Sequence, residues 1–184
     1  EVGMTHIIIV NGHPRTGKDT FIGFMEKHLR AHDIGSRSFS SIDPVRDMLG
    51  AYGFDLSQKT EADRKLLAVV GSSVEEHSNW RTEQCIAEAL SAHIHTRSNT
   101  VVFLHIREPE NIAKVRTWVE LEGAALGISI ATVFLLSNRA EKVKSNSADA
   151  GVEDITYDHY VQNDGSLLDL DNTAAAFLRD IGVL

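Results

Sequence analysis

Near the N-terminus, Gly12-His13-Pro14-Arg15-Thr16-Gly17-Lys18 follows the spacing G-x-x-x-x-G-K, and few folds can put such a string to use. A loop of this kind holds phosphate with its backbone N–H groups and the N-terminus of the next helix, while the lysine reaches the β and γ oxygens. That chemistry requires a buried strand before the loop and an amphipathic helix after it, and the flanks supply both. Positions 6 to 10 form an isoleucine-rich apolar run bounded by Asn11 and Gly12, which suits a strand buried on both faces. Beyond the loop, Phe21, Phe24, Met25, His28 and Leu29 repeat at helical spacing, with an end expected near Gly35. The hydroxyl that usually follows the lysine is displaced to Thr20, with Asp19 between. The expected phosphate-binding set is therefore Gly12, Arg15, Thr16, Gly17, Lys18, Asp19 and Thr20. A glycine turn with no ligand would give no reason for a lysine on the first helical turn.

The βα alternation continues along the chain. A second strand is expected over 37–41, followed by Asp43-Pro44, where aspartate can cap a helix that has proline at N1 and stops at Gly50 or Gly53. Positions 60 to 97 read as helical, one stripe of Leu66, Leu67, Val70 and Val74 giving way to another of Ile86, Leu90, His93 and Ile94 across Ser78-Asn79. Strands over 100–106 and 128–136 bracket a helix that opens at Glu108-Pro109 and runs to about 126. The stretch 137–156 is polar and without period. A last strand over 157–161 precedes a helix striped by Leu167, Leu170, Ala174, Phe177 and Ile181. Such alternation implies an α/β fold with a central parallel sheet of about five strands flanked by helices on both faces. Ligands then gather at the carboxyl ends of the strands, near positions 11, 42, 106 and 137.

The 184 residues suit one domain over 4–184, with Glu1, Val2 and Gly3 expected to be a remnant ahead of a native Met4. Lysines and arginines number 18 against 26 carboxylates, a net charge of -8 that repels a nucleic-acid backbone. Nucleic acid is thus a disfavoured partner, and a small-molecule nucleotide is the expected one. No apolar run is long enough for a membrane helix, so no membrane partner is expected, and a homodimer is left open. The single cysteine, Cys85, forms no internal disulfide and fits a cytoplasmic location. It reads as an inert core thiol, as Trp80 and Trp118 read as packing residues. His93 and His95, at i and i+2 on a helix, diverge too far for a metal pair.

The segment Gly17-Lys18-Asp19-Thr20 resembles the G-K-D-T loop of bacteriophage deoxynucleoside monophosphate kinases, and is similar to the G-K-D loop of animal phosphomevalonate kinases. Both belong to the nucleoside-monophosphate-kinase-like group of P-loop NTPases. Further likenesses are Arg64-Lys65-Leu66-Leu67 with Gly71, Arg107 after the third strand, Asp149-Ala150-Gly151, and the turn Asn163-Asp164-Gly165-Ser166-Leu167. The resemblance implies an ATP- and magnesium-dependent phosphotransferase with a helical acceptor-binding region over 43–97 and a lid-like segment over 139–156. It also implies a departure: where relatives carry an aspartate before the Arg107 position, this chain has His105. Asp19 becomes the expected magnesium ligand, with Asp43 and Glu108 able to hold coordinated waters. Each carboxylate has a second reading, Asp43 as a helix cap, Glu108 and Asp19 as partners of a helix dipole. His105 likewise reads either as a base near the acceptor or as a satisfied histidine at a sheet edge.

Phosphoryl transfer needs cations on the migrating group and a nucleophile held in line. Lys18, Asp43, Arg107 and Arg139 are the expected catalytic residues, Arg139 reaching ATP from the lid. Asp43, Arg46, Arg64 and Arg107 are expected to bind the acceptor, the guanidinium groups converging on its phosphate. A deoxynucleoside monophosphate is the first acceptor to consider. A hydroxyl of a small phosphorylated alcohol, or of a modified pyrimidine in viral DNA, is the alternative within the same chemistry. A nucleotide-binding module without phosphotransfer is the alternative of another class.

Overall fold

A computed structural model describes residues 3–96, 98–138 and 151–184. Five strands, β1 (Thr5–Gly12), β2 (Gly35–Ser40), β3 (Thr100–His105), β4 (Ile128–Leu136) and β5 (His159–Gln162), alternate with six α-helices. These are α1 (Lys18–Ala31), α2 (Asp43–Ala51), α3 (Glu61–Ser78), α4 (Trp80–His95), α5 (Pro109–Trp118) and α6 (Leu167–Asp180). All strand pairs are parallel and the order is β2-β3-β1-β4-β5, so β1 lies at the centre, with its end at Gly12 opposite Leu135.

Because side chains alternate along a strand, β1 supplies both cores. Ile8 and Val10, with Val101, Phe103, Val133 and Leu135, pack under Phe21, Met25 and Leu29 of α1 and Leu170, Ala174 and Phe177 of α6. Ile7 and Ile9, with Val102 and Leu104, pack under Cys85, Ala89 and Ala92 of α4 and Ile112 and Val115 of α5. The α3 stripe meets α2 instead of the sheet: Leu66, Leu67 and Val70 surround Val45, Leu49 and Leu56, joined by Trp80. Burial pushes the Cys85 thiol up to about 12, so it stays protonated and unreactive at neutral pH.

Several boundaries differ from expectation. Helix α2 begins at Asp43 itself, with Ile42 as N-cap, so Asp43 is not the cap. The break expected at Ser78-Asn79 does fall there, at Asn79, whose left-handed φ of 55° both ends α3 and opens α4. Beyond α5 the chain widens into a π-helical turn, Val119–Gly123, and then tightens into a 3-10 turn, Ala124–Leu126. Strand β5 starts two residues late because Tyr157 turns onto Phe134 and Val152, while the Asp158 carboxylate takes the Thr132 N–H at 2.8 Å in place of a strand carbonyl. No helix among the described residues is long and apolar enough to cross a membrane.

Candidate active site

The loop between β1 and α1 has backbone geometry that ordinary residues resist. Gly12 has a φ of 151°, and a Cβ there would stand 2.5 Å from the Leu135 carbonyl oxygen. Gly17, the N-cap of α1, is left-handed at φ 91°. Thr16, buried, donates from both its N–H and its hydroxyl to the His13 carbonyl, at 3.4 and 3.0 Å. Lys18 Nζ donates to the carbonyls of Gly12 (2.7 Å) and His13 (2.8 Å), which lays the ammonium across the start of the loop. Behind it, buried Asn11 donates to the Ile106 carbonyl at 3.0 Å and so locks the end of β1 to the end of β3. Arg15 is exposed at the loop's apex with φ 63°, and Asp19 and Thr20 are exposed on the first turn of α1. The His13 ring pairs with Glu153 and stands edge-on to Phe134.

Beside this loop the ends of β2 and β3 bring acid and base together. His105, the last residue of β3, is half-buried. Burial holds its ring below the ordinary imidazole pKa against the pull of the Asp19 and Asp43 carboxylates, with Arg107 reinforcing the burial effect. Asp43 accepts the Ser40 N–H at 3.3 Å and forms an ion pair with Arg46 one helical turn on.

Of the guanidinium groups expected at an acceptor phosphate, two pair with acids on their own helices and one stands just after a strand end. Arg64 is two-thirds exposed and stands 3.7 Å from Glu61 on its own helix. Arg46 is matched by Asp43 and lines a cleft of about 550 Å³ with Asp47, Phe54, Leu56 and Lys59, between α2 and the connection to α3. Arg107 is exposed at the end of β3. Glu108 is the N-cap of α5, at the positive end of its dipole, and makes no side-chain cap bond; its carboxylate accepts from Arg81 at 2.9 Å and from the Arg107 N–H at 3.3 Å. Arg139, with most of the 139–156 segment, lies outside the described residues.

The sequence reading missed Arg81. Only 5% exposed, its guanidinium donates to the Ser41 carbonyl (3.1 Å), the Ser41 hydroxyl (2.8 Å) and Glu108 (2.9 Å), tying the start of α4 to the end of β2 and the start of α5. It thereby fixes the backbone from which Asp43 projects. A lone arginine at a helix start carries no sequence signal of that kind. Among the described residues no group of three metal-ligating side chains is assembled. The oxygen donors present, Asp19 and Asp43, suit a hard cation that keeps several waters.

No protein-family model matches the chain, and no curated protein matches it. Solved structures do. An APS kinase of Mycobacterium tuberculosis, in complex with AMPPNP and APS, is similar with a TM-score of 0.55 at 18% identity, over 97% of this chain and 98% of that one. A hexameric APS kinase from Thiobacillus denitrificans is similar with a TM-score of 0.51 at 13% identity, over 100% of this chain and 30% of that one. The fold is that of P-loop kinases. The resemblance read from the motifs holds at that level, and a specific likeness to phage deoxynucleoside monophosphate kinases is not shown.

Proposed function

We propose that the chain is an ATP- and magnesium-dependent kinase that phosphorylates a small nucleotide. The observation that carries this reading is the loop itself. Gly17 is left-handed at the N-terminus of α1, Lys18 lies over the loop carbonyls, and His105 ends β3 while Asp43 follows the end of β2. Loop N–H groups and the Lys18 ammonium would hold the β and γ phosphates, where negative charge grows as the bridging bond breaks. Magnesium, held by phosphate oxygens, water and Asp19, would supply further charge neutralisation.

For the acceptor, the geometry favours a hydroxyl over the phosphate of a deoxynucleoside monophosphate. A phosphate nucleophile is already ionised and needs cations around it, and Arg46 and Arg64 are already paired with Asp43 and Glu61. A hydroxyl needs a group to receive its proton, and carboxylate and imidazole are what the strand ends offer. The acceptor oxygen bonds to the γ-phosphorus, the bond from γ-phosphorus to the bridging oxygen breaks to release ADP, and the hydroxyl proton passes to the Asp43 carboxylate.

The test is ADP formation from magnesium-ATP with a panel of deoxynucleoside monophosphates, APS and phosphorylated alcohols, scored acceptor by acceptor. A nucleotide that drives ADP release, gains one phosphoryl group at a hydroxyl and loses activity with Asp43→Asn supports the reading. Turnover with a deoxynucleoside monophosphate giving its diphosphate restores the phosphate acceptor. ATP binding with no turnover on any acceptor supports a binding module instead.

A further inference from the structure

Asn163 stands in the turn after β5 and touches the loop from behind. Its backbone N–H donates to the Leu136 carbonyl at 2.7 Å, extending the β4–β5 ladder by one rung, so the residue's position is set by the sheet. Its side-chain Nδ2 donates to the Thr16 carbonyl at 2.8 Å. Gly17 leaves room for this: a Cβ on Gly17 would stand 2.6 Å from the same Nδ2. The next residue, Asp164, is tied to the end of β4, accepting from the Asn138 N–H at 2.8 Å and the Asn138 amide at 2.7 Å. The turn is therefore anchored at both ends.

In a trans peptide the carbonyl and the N–H point in opposite directions. Fixing the Thr16 carbonyl on the Asn163 amide therefore fixes the Gly17 N–H on the opposite side of the same peptide plane. We propose that Asn163 is a positioning residue that prevents this peptide from flipping and so keeps the Gly17 N–H aimed at the bound phosphates. A left-handed glycine resists a flip less than any other residue, since both signs of φ are open to it. With the peptide inverted, the Thr16 carbonyl would face the phosphates, turning a donor into a repelling acceptor. The glycine that makes the cradle possible is also its weakest joint, and Asn163 braces it.

This inference rests on the kinase reading, and its test separates the two. Magnesium-ATP affinity is measured by calorimetry for the wild-type chain, Asn163→Asp and Asn163→Ala, and the Gly17 amide resonance is followed by NMR through the same titrations. Asn163→Asp is nearly isosteric but places a carboxylate against the Thr16 carbonyl, so it should weaken ATP binding by about tenfold or more, with Asn163→Ala intermediate. The Gly17 amide should move on ATP addition in wild type and respond little in Asn163→Asp. If Asn163→Asp does not fold, Asn163→Ala carries the same two expectations. Wild-type affinity in a folded variant overturns the brace. So does weakened affinity with an unchanged Gly17 response, since Asn163 would then act on the nucleotide directly. A wild-type chain that binds no ATP refutes the kinase reading, and the brace with it.

Discussion

Arg81 is the residue whose loss should be felt farthest from its own position. Replacing it with methionine keeps the volume of the stem but leaves Ser41 and Glu108 without their partner. Hydrogen bonds to a charged group in a buried setting contribute roughly 1.5–3 kcal/mol, so Arg81→Met should lower unfolding free energy by about that amount in denaturant titration. Because Ser41 precedes Asp43 by two residues, activity should fall more than stability alone explains. Asp19 gives a contrasting expectation. It is exposed on the first turn of α1, so Asn there changes stability by no more than roughly 0.3–1 kcal/mol through the helix dipole. If Asp19 orders magnesium, Asp19→Asn raises the magnesium concentration for half-maximal turnover; an unchanged magnesium curve removes it from the ion. At this scale the sequence disclosed the loop, because its function demands specific residue types at fixed spacing. The joining of Ser41 and Glu108 through Arg81 was not legible, since it is made only by contacts 27 and 40 positions apart in the chain.

The junction of α3 and α4 shows how one buried carboxylate sets the geometry of an element pair. Glu75, 8% exposed, accepts the Thr82 N–H at 3.1 Å, the Thr82 hydroxyl at 2.6 Å and the Lys114 ammonium at 2.8 Å. Burial is the largest single influence and would raise its pKa, but the Lys114 and Thr82 bonds together outweigh it and hold the carboxyl below the ordinary glutamate range. A carboxyl with a depressed folded pKa stabilises the fold fully above its unfolded value, about 4.3, and loses that contribution as pH falls through the folded value. Glu75→Gln should thus destabilise by about 1–3 kcal/mol at pH 7. Thermal melts at decreasing pH should show the difference between variant and wild type narrowing below about pH 4. A difference that does not change with pH would mean that the Lys114 and Thr82 bonds do not outweigh burial. Helix existence here was legible from the two apolar stripes, and so was the break at Asn79. The direction of α3 was not, because its stripe matches the sheet-facing pattern of a crossover helix yet packs on α2.

For the whole molecule, a central β1 buried on both faces and continuous with the phosphate loop makes fold and site one construction. Alternating strands and helices made the parallel sheet readable from the sequence. Acceptor chemistry stayed unreadable, because arginine spacing does not tell which guanidinium groups face the cleft and which, like Arg64, pair on their own helix. The claim on which all else depends is that Lys18 and its loop transfer the γ-phosphoryl of ATP. The most direct measurement follows γ-labelled ATP with magnesium and the nucleotide acceptors, comparing wild type with Lys18→Ala and confirming both folded by circular dichroism. Lys18 is only half-buried and outside both sheet-packed cores, so the variant should keep its fold. The account predicts label on an acceptor with wild type and a loss of at least about a hundredfold in rate with Lys18→Ala, the scale of removing one charge-stabilising donor. A folded Lys18→Ala chain that transfers label at the wild-type rate would contradict it.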